Sequence, residues 1–513
     1  MVSGSPVLDT KIHPTVVHML AAAAEQSPDA QALKCEDRTL TYREFLRCVG
    51  GFAAELETLG ARGSRVALIC ANSLEIAIAM FAIHAAGAQA VPINPLYTTR
   101  ELGHILSDAD PVVVLHDTSV RETVETLAGE IGIAHTIALG PDGRLLDGWK
   151  DDTAAALPPL PSPDDLATLQ YTGGTTGLPK GVDITHRQMS VNISQREAAL
   201  PTRPDSERIL CMMPLFHVFA VAACFHLSVY CRGLLVIIPA YRPDVVLDAI
   251  ERERITILPA GPTVFIGLMG FEGFADRDFS SLRVAYSGSA PLPVETLRQW
   301  QEITECPILE GFGQSEAGPV LTYVTEDGRQ VPGSVGPPLP LTDIEIVDVD
   351  TGTKVLDTGE LGEIRVRGPQ IMSGYRNRPK ETAEALRDGW LYTGDIGELD
   401  ADGYLYIRDR KKDMVITGGY NVYPREIDEV LYAHPAVSEA AAFGVADSYR
   451  GEVLHARVVA KPGAAVTSDD LMAHCRKNLA KYKLPAVIEV VDALPKTTVG
   501  KIDRKAMRAN PGG

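Results

Sequence analysis

No stretch of this 513-residue chain is apolar for long enough to cross a bilayer, and its opening, MVSGSPVLDTKIHP, lacks the basic-then-apolar pattern of a signal peptide. The expectation is a protein with no transmembrane segment that stays in the cytoplasm where it is made. Positive charge is scarce. Against 67 Asp and Glu there are 48 Lys and Arg, a formal charge of −19, which argues against wholesale binding to nucleic acid. Any polyanionic ligand must be met by a local basic patch, and Arg476 to Arg508 supplies one, with nine Lys/Arg against three Asp/Glu. Paired cysteines are missing as well. The eight cysteines form no CxxC pair and no metal-ligand spacing, and Cys35, Cys70, Cys211, Cys224 and Cys231 sit in apolar or mixed runs that read as core in a reducing compartment. Tandem repeats and low-complexity tracts are also absent.

What is present is a chain too long for one hydrophobic core, so two or more domains are expected. From about His13 to Leu339, strand-like runs such as RVALICAN, PVVVLHD, LLVIIPA, ITILPA and LRVAYSGSA alternate with helical patterns such as SLEIAIAMFAIHAAGA and RPDVVLDAIERER. Alternation of this kind predicts an α/β fold of parallel sheets covered by helices. From PVLTYVTEDG through GEIRVRG the chain turns Gly-, Pro- and β-branched-rich, which reads as a β subdomain. After the charged run RDRKKD, a compact α+β set begins with VITGGYNV and REIDEVLYAH. The boundaries drawn from this are a large domain over 1–410 and a small C-terminal one over 411–513.

YTGGTTGLPKG, Tyr171 to Gly181, concentrates glycines, threonines and one lysine in a turn, which suits backbone N–H groups approaching an anion with a point charge beside them. It is not a Walker A loop. Leu178 and Pro179 separate Gly177 from Lys180, and the following GVDIT is strand-like, where a Walker loop opens a helix. GFGQSEAG, Gly311 to Gly318, places Glu316 on a glycine-flanked loop, and magnesium on phosphates takes one or two protein carboxylates. Asp395 in LYTGD, with Arg410 close by, has the chemistry of a ribose clamp. His217 in PLFHVF and Lys501 in PKTTVGKIDRK complete the set. Each alone also fits a plainer reading: a loop glutamate in water, a common turn, a core histidine, a solvated lysine.

In order and spacing these motifs resemble the adenylate-forming superfamily of acyl-CoA synthetases, non-ribosomal adenylation domains and luciferases, over a span from Leu40 to Lys505. The resemblance implies that Thr172, Gly173, Gly174, Thr175, Thr176, Gly177 and Lys180 hold the β- and γ-phosphates of ATP. It implies that Ser289, Ala290, Pro291, Gly311, Phe312, Gly313 and Ser315 face the adenine and magnesium, with Glu316 as the Mg²⁺ ligand. Asp395 and Arg410 would bind ribose, Lys412 would be the hinge, Gly418, Gly419 and Tyr420 would meet coenzyme A, and Lys501 would be the catalytic lysine. Phe312 stands where the family usually has tyrosine, and Ser315 where it usually has threonine. The stacking face and the hydroxyl are kept.

The implied chemistry has two halves: a carboxylate attacks the α-phosphorus of ATP and expels pyrophosphate, then a thiol attacks the acyl-adenylate and expels AMP. A swing of the C-terminal domain about Lys412 would serve both halves from one site. Residues 217–233, HVFAVAACFHLSVYCRG, are almost free of charge, so an apolar acid is expected, a medium- to long-chain fatty acid first and an aryl acid second. The pocket is placed at His217, Val218, Phe219 and Gly288, with His217 among the catalytic residues. An adenylate ligase serving a carrier protein remains a further alternative, although no insertion separates Asp395 from Lys412. PKTTVGK also resembles a segment acetylated in some relatives, which makes a lysine acetyltransferase acting on Lys501 a candidate partner.

Overall fold

The computed structural model describes residues 2–172, 179–326, 328–417, 420–447, 449–497 and 500–511. Among these, β-branched runs pair into four sheets. The first has six parallel strands in the order Ile308–Gly313, Val284–Ser287, Ile257–Ala260, Arg208–Cys211, Leu234–Ile237 and Gln31–Cys35, with the antiparallel strands Val320–Tyr323 and Arg38–Thr41 at its edges. The second runs parallel through Leu166–Thr172, Gln89–Pro92, Arg65–Ile69, Val113–Asp117 and His135–Leu139. It is extended antiparallel by Lys180–Thr185 and Gly374–Tyr375. Parallel strands buried on both faces read as continuous apolar runs, and RVALI and ILPA are of that type.

Helix Leu74–Ala85 explains how the large sheets share one core. Its sequence LEIAIAMFAIHA is apolar on every side and all twelve residues are buried, as expected of a helix inside a large protein rather than on its surface. Its one acidic residue, Glu75, accepts from Arg38 at 2.7 Å, so the buried charge is paired. Helix His186–Ala199 starts on the last residue of strand Lys180–Thr185. There Thr185 and Gln188 form a reciprocal capping box, which fixes the direction in which the helix enters the interior.

The third sheet is antiparallel and holds Asp343–Val347, Gly362–Arg367, Trp390–Leu399 and Leu405–Arg410. The fourth contains Val415–Thr417, Tyr420–Val422, Val437–Asp447, Gly451–Ala460 and Val487–Val490, and it packs helices Pro424–Tyr432 and Ser468–Asn478 around a core of its own. Arg410 ends a strand of the third sheet, and Val415 begins one of the fourth. The chain between them makes a tight turn, with the Asp413 and Met414 N–H groups both donating to the Arg410 carbonyl. No helix among the described residues is long and apolar enough to cross a membrane. All eight cysteines are buried and free.

Candidate active site

The strands flanking the Gly/Thr loop form a hairpin in which Thr172 and Lys180 are register partners. Gly173, Gly174, Thr175, Thr176 and Gly177 lie outside the described residues. Lys180 ends with its ammonium 4.2 Å from the centre of the Tyr375 ring. The Tyr375 hydroxyl in turn donates to Glu316 Oε1 at 2.8 Å. A cation, an aromatic face and a carboxylate thus stand in line on one side of the site.

Glu316 sits in a single helical turn, Ser315–Ala317, and the backbone around it explains the glycines of GFGQSEAG. A Cβ on Gly313 would come within 2.0 Å of the Pro319 carbonyl oxygen. Gly318 has φ +76° and backs onto the Gln370 carbonyl. The loop is therefore folded tightly against strand Val320–Tyr323, so that Glu316 projects from a rigid base. One carboxylate with no cluster of three or more His, Cys, Asp or Glu around it, among the described residues, suits Mg²⁺ held mainly by phosphate oxygens.

Asp395 and Arg410 face each other across strands Trp390–Leu399 and Leu405–Arg410. Arg410 Nε is 2.8 Å from Asp395 Oδ1, while Oδ2 is buried with no partner. Asp395 is 2% exposed and burial raises its pKa, whereas the Arg410 side chain is 51% exposed. A buried carboxylate oxygen with an open valence fits a hydroxyl donor.

Lys501 arrives from the far end of the sequence. The turn before it puts Gly500 against Thr263, where a Cβ would lie 3.5 Å from Thr263 Oγ1. Burial and then Arg410 lower the Lys501 pKa to about 8, with Asp395 opposing, so the lysine stands within electrostatic reach of the Asp395–Arg410 pair. It also reaches His217, whose pKa burial lowers to about 3 with Lys501 adding to the effect. His217 is therefore neutral. Its Nδ1 accepts from the Phe219 N–H at 3.3 Å, which leaves Nε2 as the protonated, donating nitrogen.

Behind Ser315 and Gly318 a narrow cavity runs between Val218, Val221, Ala222 and Leu227 on one side and Met189, Ile193 and Val320 on another. Residues 221–226 form a π-helical turn within the helical stretch from Val218 to Tyr230, a distortion that frequently marks functional sites. Of the predicted pocket residues, Val218 lines this cavity. Phe219 packs on Gly288, where a Cβ would approach its ring to 2.9 Å. Ser289 next to it holds φ +71°. The apolar lining expected from residues 217–233 is there, but Arg196, His84 and His226 also reach the wall, two of them from helices far off in sequence.

A profile of the AMP-binding enzymes matches residues 20–376, and one of the AMP-binding enzyme C-terminal domain matches residues 426–501. The chain belongs to the AMP-binding enzymes. It lies on their acyl-CoA synthetase branch: it is 37% identical to a long-chain-fatty-acid–CoA ligase of Bacillus subtilis over 96% of this chain and 94% of that one. It is also 37% identical to a feruloyl-CoA synthase of Amycolatopsis over 95% and 97% of the two chains. Its fold superposes on an anthranilate CoA ligase in complex with anthranoyl-AMP with a TM-score of 0.91, at 29% identity and 98% coverage of both chains. For an AMP-binding enzyme of this type, ATP and coenzyme A are the expected substrates.

Two site features of this AMP-binding enzyme are not legible in the sequence. Tyr375 links Lys180 to Glu316, and a signal for it exists only in the pairing of strand Gly374–Tyr375 with Lys180–Thr185. Arg196 is the other. Gly418 and Gly419 lie outside the described residues. Tyr420 is 57% exposed, with its ring stacked on Tyr482 at 4.7 Å, so its partner here comes from the short helical turn Lys481–Lys483 of the C-terminal part of the chain.

Proposed function

We propose that the protein converts an apolar carboxylic acid, foremost a medium- to long-chain fatty acid, into its CoA thioester by way of an acyl-adenylate. The observation that carries this reading is that Lys501 from the C-terminal unit stands within electrostatic reach of the Asp395–Arg410 pair and of His217, which precedes Val218 in the wall of a mostly apolar cavity. The whole-length likeness to ligases named for long-chain fatty acids supports the choice of acid.

In the first half, a carboxylate oxygen attacks the α-phosphorus and the bond to pyrophosphate breaks. Two anions must meet, so neutralising charge is the main task. Lys501, protonated at pH 7, lies between the two and offsets both. Lys180, steadied by Tyr375, serves the outer phosphates together with the loop that follows Thr172. Glu316 would hold Mg²⁺, which supplies Lewis-acid charge to the phosphates when bound. Asp395 Oδ2 accepts from a ribose hydroxyl and Arg410 fixes the carboxylate. The Nε2–H of His217 is a neutral donor next to Val218 of the acyl cavity wall.

In the second half, the thiolate of coenzyme A attacks the acyl carbon and AMP leaves with the electrons of the broken carbonyl–oxygen bond. Lys501 occupies the space the thiol needs, so the C-terminal unit must turn, and the change of sheet between Arg410 and Val415 makes Lys412 the natural hinge. That turn would bring the segment around Tyr420 toward the acyl carbon. It would also expose Lys501, the state in which an acetyltransferase could reach it. A division of the chain at 410/411 follows from the same reasoning.

The test is a panel of acids scored for AMP release with and without coenzyme A, with pyrophosphate exchange measured alongside. CoA-dependent AMP release that is highest for medium or long alkyl acids supports the reading. A preference for cinnamate-type acids favours the aryl alternative, which the feruloyl-CoA synthase relative supports equally by identity. Transfer to a carrier protein in place of coenzyme A would overturn both.

A further inference from the structure

We propose that the acyl cavity ends in a polar subsite, built around Arg196, for an acid whose tail carries a neutral oxygen acceptor at a distance from the reacting carboxylate. Arg196 projects from helix His186–Ala199 and is 5% exposed, with Nε and Nη2 making no hydrogen bond. Its guanidinium lies over the Tyr286 ring at 4.8 Å, which holds the cation by its face and leaves its edge donors free. Nη1 reaches Glu197 Oε2 at a long 3.4 Å. His226 Nε2 and His84 Nδ1, both buried, are likewise without partners, and all three side chains line the same cavity.

Several polar residues on this helix have plainly structural partners; the His186 ring and the Ser190 hydroxyl, like Nε and Nη2 of Arg196, have none, but of these three residues only Arg196 lines the cavity. Asn192 donates to the Val320 carbonyl at 2.8 Å and accepts from its N–H at 3.0 Å. Gln195 donates to Pro340 at 2.6 Å, and the Ser194 hydroxyl pairs with Thr10 at 2.7 Å. Buried polar groups in folded proteins are nearly always satisfied, so a charged fork left open in a cavity wall marks a place for a ligand atom. The free atoms at Arg196 are donors, so the ligand atom is an acceptor. Glu197, itself accepting from the Thr202 N–H and hydroxyl, already balances the arginine's charge. A hydroxyl, keto or ether oxygen therefore fits, whereas a second carboxylate brings an uncompensated charge into a buried wall.

This inference rests on the proposed acid activation, and its test separates the two. Decanoate is compared with its positional series of hydroxydecanoates, and cinnamate with para-hydroxycinnamate, by kcat/KM for CoA-dependent AMP release. The best oxygenated acid should exceed its parent by about tenfold or more, since a site built to hydrogen-bond a substrate group discriminates strongly against the analogue lacking it. Arg196→Met, close in volume, should shrink that gap to about twofold mainly by lowering turnover of the oxygenated acid. Parent acids that equal or beat every oxygenated partner in the wild-type enzyme overturn the subsite even if the variant fails to fold. So does a gap unchanged in Arg196→Met, and so does a dicarboxylate that outperforms the hydroxy acids. AMP release with none of the acids overturns the activation reading itself.

Discussion

Two arginines stand beside carboxylates on the two sides of this site, and they are built in opposite ways. Arg410 is half exposed and sits 2.8 Å from a buried Asp395, so the pair is tight and the atom left free is an acceptor, Asp395 Oδ2. Arg196 is buried and only loosely tied to Glu197 at 3.4 Å, so the atoms left free are donors. The first arrangement waits for hydroxyls and the second for an oxygen acceptor. In a pre-formed site, the open valence tells more about the ligand than the charge of the residue does.

The largest expected effect concerns the lysine between these two sides. Lys501→Ala should lower pyrophosphate exchange by about 10²–10³-fold, the loss typical of removing one group aimed at transition-state charge. Thioester formation from supplied acyl-adenylate should change little. If both halves fall together, Lys501 holds the site's structure and does not belong to the first half alone.

The turn after Arg410 gives the next effect. Lys412→Pro fixes φ near −65° and removes a backbone donor in the segment where the chain passes from one sheet to another, so pyrophosphate exchange should persist while CoA-dependent turnover drops by roughly two orders of magnitude. Lys412→Ala, which leaves the backbone free, should be mild in both assays. Normal CoA turnover by the proline variant places the hinge elsewhere.

The two sides of the site differ in how far the amino-acid sequence alone reveals them. Asp395 and Arg410 lie on neighbouring strands of one hairpin, in short motifs close together in the sequence, and their pairing follows from local register. The alternating strands and helices, the β subdomain and the strand-like GVDIT after the Gly/Thr loop are legible for the same reason: each is a short-range pattern. Arg196 is not. Helix His186–Ala199 buries residues all around, so periodicity assigns it no inward face, and only the packing of strand Val320–Tyr323 and of the π-helical turn against it decides what Arg196 meets. Tyr375 is hidden in the same way, by a long-range strand pairing.

Asp395→Asn sharpens the contrast with a smaller effect. It keeps the shape but weakens both the tie to Arg410 and the acceptor at Oδ2, so KM for ATP should rise about 10- to 100-fold, the range for hydrogen bonds to charged groups. KM for the acid should stay within about twofold, because the proposed acid site lies on the Arg196 side. Measured the other way, Arg196→Met should leave KM for ATP alone. A variant on either side that raises both constants equally would show that the two arginines are coupled rather than independent.

The smallest effect is a pH dependence. Burial and Arg410 hold Lys501 at about 8, below the ordinary 10.5 of a lysine, and in the proposed first half-reaction the ammonium is the form that would offset the two anions. For adenylation, kcat/KM should therefore be on a plateau below pH 8, at half its value near 8, and falling tenfold per pH unit above. Bound triphosphate favours the charged form, so the corresponding break in kcat should lie at higher pH. Stability has the opposite slope. Between about 8 and 10.5 the unfolded chain keeps a proton that the folded chain has lost, so this lysine's contribution to stability grows as pH rises through that window. Lys501→Arg, which stays protonated, should remove both the break in kcat/KM near pH 8 and the alkaline gain in stability, even where its lower activity reflects a misplaced charge. A break that persists in that variant belongs to another group, and then the convergence of Lys501 on the Asp395–Arg410 pair does not set the pH limit of the first half-reaction.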